Sequence, residues 1–168
     1  MKKSIYRFIT TFLMVGWMVV IFHFSAQPAT ESSEISGGFC GQLINAVNDR
    51  FELKMSEADI LQLSEKIEFP VRKMAHMAEY AVLGLFCYLF SKGFFVSHEK
   101  CTGVSFVLVF LYAAGDELHQ RFVPGRSGQF SDVLIDTLGG ICMLLLLHLA
   151  RKWYLHKYKK NKEEKKRN

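Results

Sequence analysis

The 168-residue sequence has no CxxC pair, no Gly-rich phosphate loop and no internal repeat. These absences exclude a paired-cysteine metal or redox motif, a P-loop nucleotide site and a repeat architecture, respectively. No nucleophile-elbow pattern surrounds Ser127 or Ser131, and no spacing of His, Cys, Asp and Glu matches a strong metal signature, so neither a metal nor another cofactor is expected. A disulfide framework is missing too. Cys87 and Cys142 fall inside apolar stretches, Cys101 lies at the edge of a third, and Cys40 stands alone in a polar segment; all four read as unpaired packing thiols. The scarcest commodity is charge. Charged residues make up 22% of the chain, yet long stretches hold almost none, while the tail from Arg151 is mostly Lys and Arg. With half of the residues hydrophobic, that segregation excludes an ordinary soluble globule. A net charge of +5 invites a nucleic-acid reading. The basic residues are not interleaved with aromatics on a compact domain, so nucleic acid is not an expected partner.

A membrane span takes about 20 mostly apolar residues. Four segments supply them, at about 5–24, 73–90, 101–115 and 130–150, the third reaching span length if 116–120 continue its helix. The expected fold is therefore all-α, a polytopic membrane protein built as a four-transmembrane-helix bundle. An external helical segment separates helices one and two. Residues 1–150 form the membrane domain, with 25–71 external, and 151–168 form a basic cytoplasmic tail. The first segment is longer than the apolar core of a signal peptide, about 7–15 residues, and Ser25-Ala26-Gln27-Pro28 offers no small-x-small cleavage site. An uncleaved anchor is expected.

Orientation follows the distribution of Lys and Arg. With the N-terminus inside, segments 1–7, 91–100 and 151–168 hold 14 of the 21 bases and three of the 16 acids, a balance of +11. The remainder carries −6. Both termini are thus expected on the cytoplasmic side of the plasma membrane. Bases from Lys157 to Arg167 would be drawn to anionic lipid by roughly 1 kcal/mol each, and Trp153, Tyr154 and Tyr158 suit the interface.

In the external segment, Ile35, Phe39, Leu43, Val47 and Phe51 recur every four residues, which suits a short amphipathic helix despite Gly37, Gly38 and Gly41. Ser56 and Asp59 resemble a capping box for a second short helix carrying Ile60, Leu63 and Ile67. Pro70 suits the first turn of span two. Two short helices over the outer face of the bundle are expected, with a mobile acidic loop as the alternative.

Ionisable groups inside spans cost at least a few kcal/mol unless paired. Here they gather at one end. Span two begins with Arg72, Lys73, His76, Glu79 and Tyr80, of which Lys73, His76 and Tyr80 share a helical face. Span three ends with Tyr112, Asp116, Glu117, His119 and Gln120, followed by Arg126 in a Pro124-Gly125 turn. Span four opens with Asp132 and Asp136, and Gly139 and Gly140 follow, small enough for a neighbouring helix to approach. In the expected orientation all these groups lie at the outer ends, above apolar inner halves. Each has a structural reading as well. Lys73 and Arg72 could snorkel, His76 could bond another helix, the tyrosines could be interfacial, Asp132 could answer a helix dipole, and Asp132 or Asp136 could pair with Arg126.

Lys73-x-x-His76-x-x-Glu79-Tyr80, Asp116-Glu117-x-x-Gln120-x-Phe122-x-Pro124-Gly125-Arg126 and Asp132-x-x-x-Asp136-x-x-Gly139 together resemble the VanZ-like family of bacterial membrane proteins. Phe24-Ser25-Ala26-Gln27 after span one is similar to that family's Phe-Ser-x-Gln. The resemblance covers roughly residues 5–150. It implies a cell-envelope protein of the kind widespread in Gram-positive bacteria, whose founding member is a teicoplanin-resistance accessory protein. Resistance is one outcome within that family.

Three classes of function remain open. An enzyme would use His76 with Asp116, Glu117 or Asp132 as acid and base on an anionic lipid-linked or envelope substrate. Lys73 and Arg126 would neutralise that substrate's charge, and Glu79, Tyr80, Gln120 and Asp136 would line or orient it. A non-catalytic protein would use the same groups to hold a lipid head group or to sequester a glycopeptide antibiotic. A transporter is disfavoured, because the charges trace no path across the membrane. The expected partners are membrane lipids, lipid-linked envelope precursors and glycopeptide antibiotics.

Overall fold

The computed structural model describes residues 2–167, apart from the side chains of residues 166 and 167, so the anchoring expected of Lys166 and Arg167 lies outside the described residues. The described residues form five helices: α1 Lys2–Ser25, α2 Ala29–Phe51, α3 Glu57–Lys92, α4 His98–Gln120 and α5 Phe130–Arg167. Among the described residues there is no strand. Helices α1, α3, α4 and α5 are each long and apolar enough to cross a membrane, the helix set of a multi-pass membrane protein. Their outward faces carry bare apolar side chains, such as Phe8 and Phe12 on α1 and Leu145, Leu146 and Leu149 on α5. Such surface is stable in hydrocarbon, which is as apolar as the side chains themselves.

The spans alternate in direction. The starts of α1 and α4 and the end of α3 meet at one end of the bundle, where Arg7 Nε donates to Gly93 O at 2.7 Å and Tyr6 Oη to Leu89 O at 3.0 Å. The end of α1, the end of α4 and the start of α5 meet at the other. Helix α3 is the centre, packing against each of the other four helices and most extensively against α5. Glycine makes that closeness possible. A Cβ on Gly84 would lie 3.1 Å from Gly140 O, one on Gly140 would lie 2.6 Å from Val109 Cγ1, and one on Gly139 would run into the carbonyl oxygen of Met77. Gly139 and Gly140 therefore let α5 seat against α3 on one side and α4 on the other.

The third span does continue through Gln120, making α4 23 residues long. The capping box forms as well. Ser56 Oγ accepts from Asp59 N, and Asp59 Oδ2 accepts from Ser56 N at 3.2 Å. Three lengths differ from expectation. Helix α2 runs for 23 residues, and the second external helix merges with span two into the 36-residue α3, with Pro70 in its interior rather than its first turn. Proline removes one donor from the ladder, but Lys66 and Pro70 both lie on the exposed side of α3, where the freed Lys66 carbonyl can meet water. At about 1.5 Å per residue α3 is about 54 Å long, well beyond the hydrocarbon thickness of about 30 Å, so its first half projects with α2 as a hairpin. Polar contacts tie the hairpin: Ser36 Oγ to Glu68 Oε1 at 2.7 Å, Ser64 Oγ to Gly37 O at 3.0 Å and Arg72 Nη1 to Ser33 Oγ at 2.8 Å. Cys40 and Ile44 are buried, while the Ile35–Phe39–Leu43–Val47–Phe51 stripe stays exposed. Helix α5 passes residue 150 without a break.

Buried polar groups also occur at the terminal end, where apolar packing was expected. Tyr88 Oη meets His98 Nδ1 at 2.7 Å, His98 Nε2 meets His148 Nδ1 at 3.1 Å, and the Ser91 and Ser105 hydroxyls lie 3.3 Å apart. These pairs join α3, α4 and α5 by satisfying one another. Cys40, Cys87 and Cys101 are buried and free; Cys142 is free on an exposed face rather than packed.

Candidate functional site

At the end of the bundle opposite the termini, α3, α4, α5 and the loop after α4 enclose a cavity of about 150 Å³. Helix α3 supplies Arg72, Lys73 and His76, α4 supplies Glu117 and Gln120, and α5 supplies Asp132 and Asp136. Each set is spaced at one turn, so each helix turns one polar face inward. Arg126 and Ser127 come from the loop, and Ala29 from the start of α2.

Two glycines shape that loop. Gly125 has φ +73°, and a Cβ there would lie 3.1 Å from Ala29 Cβ. Left-handed backbone and close approach both favour glycine, and they bring Pro124 O within 3.2 Å of Ala29 N. A Cβ on Gly128 would strike the carbonyl oxygen of Glu117. Beside it, Glu117 Oε2 accepts the backbone N–H of Gln129 at 3.0 Å, just ahead of α5. This carboxylate, 5% exposed, anchors the loop to α4. Glu117→Ala is expected to destabilise the chain by about 1–3 kcal/mol, since a hydrogen bond to a charged group is lost and a donor is left bare. At roughly 2–4 °C per kcal/mol the loss is readable as a drop in the unfolding midpoint. Glu117→Gln keeps an acceptor oxygen, and its midpoint should lie between those of wild type and Glu117→Ala.

Some of the charges are paired. Lys73 Nζ is 2.5 Å from Asp132 Oδ1, and Arg72 Nη1 is 3.2 Å from Glu68 Oε1. His76 Nδ1 lies 3.4 Å from Glu79 Oε2. Arg126 forms no ion pair among the described residues, and neither do the Glu117 and Asp136 carboxylates of the same cavity. Arg126 Nε donates to Gln27 O at 3.2 Å and its Nη2 to Phe24 O at 3.4 Å, so it sits on the carbonyl end of α1, where a cation is favoured. Burial, reinforced by the nearby Arg72 charge, pulls its guanidinium below its ordinary pKa against the opposing pull of the Asp116, Glu117 and Glu79 carboxylates. The pairing considered from sequence, Asp132 or Asp136 with Arg126, does not form: Asp132 goes to Lys73.

Not every residue singled out from sequence reaches the cavity. Tyr80 shares the face of Lys73 and His76 but is fully buried one turn deeper. Asp116, 5% exposed, lies in the same lower layer, with the hydroxyls of Tyr80 and Ser25 beside it and Gln120 Nε2 on its Oδ2 at 3.3 Å. Gln120 thus links the two layers. Glu79 faces a neighbouring cavity on the α1–α2 side. Tyr112 gives its hydroxyl to Met18 O, and His119 packs on the Phe22 ring at 4.5 Å, both ties to α1. Arg72, Ser127 and Gln129, placed at the polar end from sequence but given no site role, line the wall, and Phe69 is a wall residue that sequence spacing did not reveal. Among the described residues no three His, Cys, Asp or Glu side chains converge as a metal site would require.

A family model described as VanZ/LLP1 matches residues 10–151, a range that contains every residue lining the cavity. No curated protein and no solved structure matches the chain.

Proposed function

The chain belongs to the VanZ/LLP1 family, and on that premise we propose that its polar cavity takes the anionic head group of a lipid-linked or cell-envelope molecule. In this reading the protein lies in the plasma membrane with both termini cytoplasmic, as the placement of Lys and Arg favours, and the cavity opens on the extracytoplasmic side. One observation carries the proposal. Arg126 faces the cavity without a carboxylate partner, while Lys73 and Arg72 beside it are already neutralised. An unpaired, half-buried guanidinium is costly to keep unless an anion completes it, and its planar fork matches a phosphate or carboxylate. Gln120 and Ser127 add neutral donors on the same wall.

The test is native mass spectrometry of the full chain purified from membranes in neutral detergent. Anionic lipid is expected to co-purify with wild type and to be lost from Arg126→Gln. Equal retention by both would remove the head-group reading.

A second reading, an enzyme, is favoured by His76. Its ring lines the cavity and its Nδ1 is oriented by Glu79, the arrangement of a general acid or base with a supporting carboxylate. If chemistry occurs, cells expressing wild type should contain a lipid or wall-precursor species that His76→Ala cells lack. Unchanged composition assigns the cavity to binding alone. A role in teicoplanin resistance would rest on the same cavity: a change in teicoplanin susceptibility on expression should disappear with Arg126→Gln.

A further inference from the structure

A second cavity, of about 360 Å³, adjoins the polar one between the end of α1, the first turns of α2 and the middle of α3. Arg72, His76 and Arg126 line both, so the two compartments meet across these three side chains. The rest of the second compartment is more apolar, its walls chiefly Phe24, Ile35, Phe39, Val71 and Ala75, with Gln27, Ser32, Ser36 and the His76-paired Glu79 at its polar edge. Ile35 and Phe39 remain 56% and 55% exposed although α2 is not one of the four spanning helices. Water gives such side chains no reason to stay open, since closing an apolar gap is favourable. What holds the gap is polar: the Ser36–Glu68 and Ser33–Arg72 contacts fix α2 against α3 at a set distance. The fold thus maintains an apolar slot whose inner wall carries Arg126, the one cation of the site without an ion pair among the described residues.

We propose that the slot is a hydrocarbon-chain compartment, and that the ligand is an anionic amphiphile whose charged group lies at Arg126 and whose chain runs between α1, α2 and α3. This rests on the head-group reading of the polar cavity and adds the class of molecule to it. The juxtaposition of charge and apolar wall within one residue selects for a ligand with the same juxtaposition, as a lipid phosphate has. A soluble anion would fill the polar side and leave the slot bare; a neutral lipid would fill the slot and leave Arg126 unanswered. The exposed face of α2 continues through Leu43 and Val47, so a longer chain finds more surface along the same helix. Helix α2 thereby acts as the wall that reads the chain.

The experiment uses the full chain in nanodiscs of zwitterionic lipid, with protein-free nanodiscs as the blank that removes partition into the bilayer, probed with dodecyl phosphate and with inorganic phosphate. Ala75→Phe and Phe39→Trp each put bulk into the slot at positions that do not line the polar cavity. Wild type is expected to hold dodecyl phosphate at least about ten-fold more tightly than inorganic phosphate, the gain from burying as few as two methylenes. Both variants should lose that advantage while binding inorganic phosphate as wild type does, which also shows that they are folded. Variants that keep the advantage would overturn the chain compartment, as would a wild type that binds both probes equally. A wild type that binds neither probe would overturn the head-group reading itself.

Discussion

Gly139→Leu is expected to prevent the four spans from assembling, and Gly139→Ala to lower the unfolding midpoint sharply. A Cβ at this position meets the Met77 carbonyl oxygen, with Met77 Cα at 3.0 Å. A clash with a side chain can be relieved by a rotamer, but a clash with backbone moves a helix. Helix propensity works the other way, because alanine in place of glycine is worth about 1 kcal/mol in a helix interior. The steric term wins here, since overpacking costs about 1–3 kcal/mol even where side chains can adjust. Gly16→Ala is the control: nothing lies within 4 Å of a Cβ there, and its midpoint should stay level or rise. The consequence reaches the cavity. Met77 follows His76 on α3, and Gly139 lies one turn from Asp136 on α5. Separating the helices at this contact also separates Lys73 from Asp132. Loss of anionic-lipid retention should therefore accompany loss of stability in Gly139→Ala. A midpoint unchanged from wild type would show that α3 and α5 do not meet as described.

How much of this was legible beforehand depends on the kind of signal. The spans were legible because charge is absent from them, and absence along a helix is read without knowing its neighbours. The ends of α3 and α5 were not. Pro70 and the basic run after Arg151 look like boundaries, yet Pro70 sits on an exposed face, and Lys, Glu and Arg are good helix formers that let α5 continue. The α2 stripe was visible in its period of four, but period alone cannot say whether the apolar face is covered. The polar end was legible because three spans place ionisable groups at one depth. Their partners were not, because spacing assigns a residue to a face and not to a neighbour: Asp132 meets Lys73 instead of Arg126, and Tyr80 is buried one turn below the cavity that its face suggested. The Tyr88–His98–His148 chain gave no signal at all, since His98 and His148 are 50 residues apart and belong to no motif.

The Lys73–Asp132 pair yields the second large effect, and an asymmetric one. Both side chains are about one-fifth exposed, so the pair lies between a surface ion pair, worth about 0–1 kcal/mol, and a buried one, whose breakage costs about 3–5 kcal/mol. Removing either partner is expected to cost on the order of 2 kcal/mol, but not equally. In Lys73→Met, Asp132 keeps its place in the first turn of α5, where the helix dipole supports a carboxylate. In Asp132→Asn, Lys73 loses its ion pair on a wall that also holds Arg72 and Arg126, and keeps the Phe69 ring at 5.3 Å and the more distant Glu117 and Asp136 carboxylates. Asp132→Asn should therefore lower the unfolding midpoint more than Lys73→Met, by several degrees in detergent. Ligand retention should sort the two in the opposite order. Losing Asp132 releases a second cation into the cavity, so a destabilised Asp132→Asn should still hold anionic lipid at least as tightly as wild type. Losing Lys73 leaves an unpaired carboxylate facing the ligand's charge, so the more stable Lys73→Met should hold it less. A catalytic role for Asp132 would break this pattern in one place only: lipid would bind to Asp132→Asn while any product species seen with wild type would vanish. If both substitutions lower retention in proportion to stability, the pair is a structural clamp and Arg126 alone answers the anion.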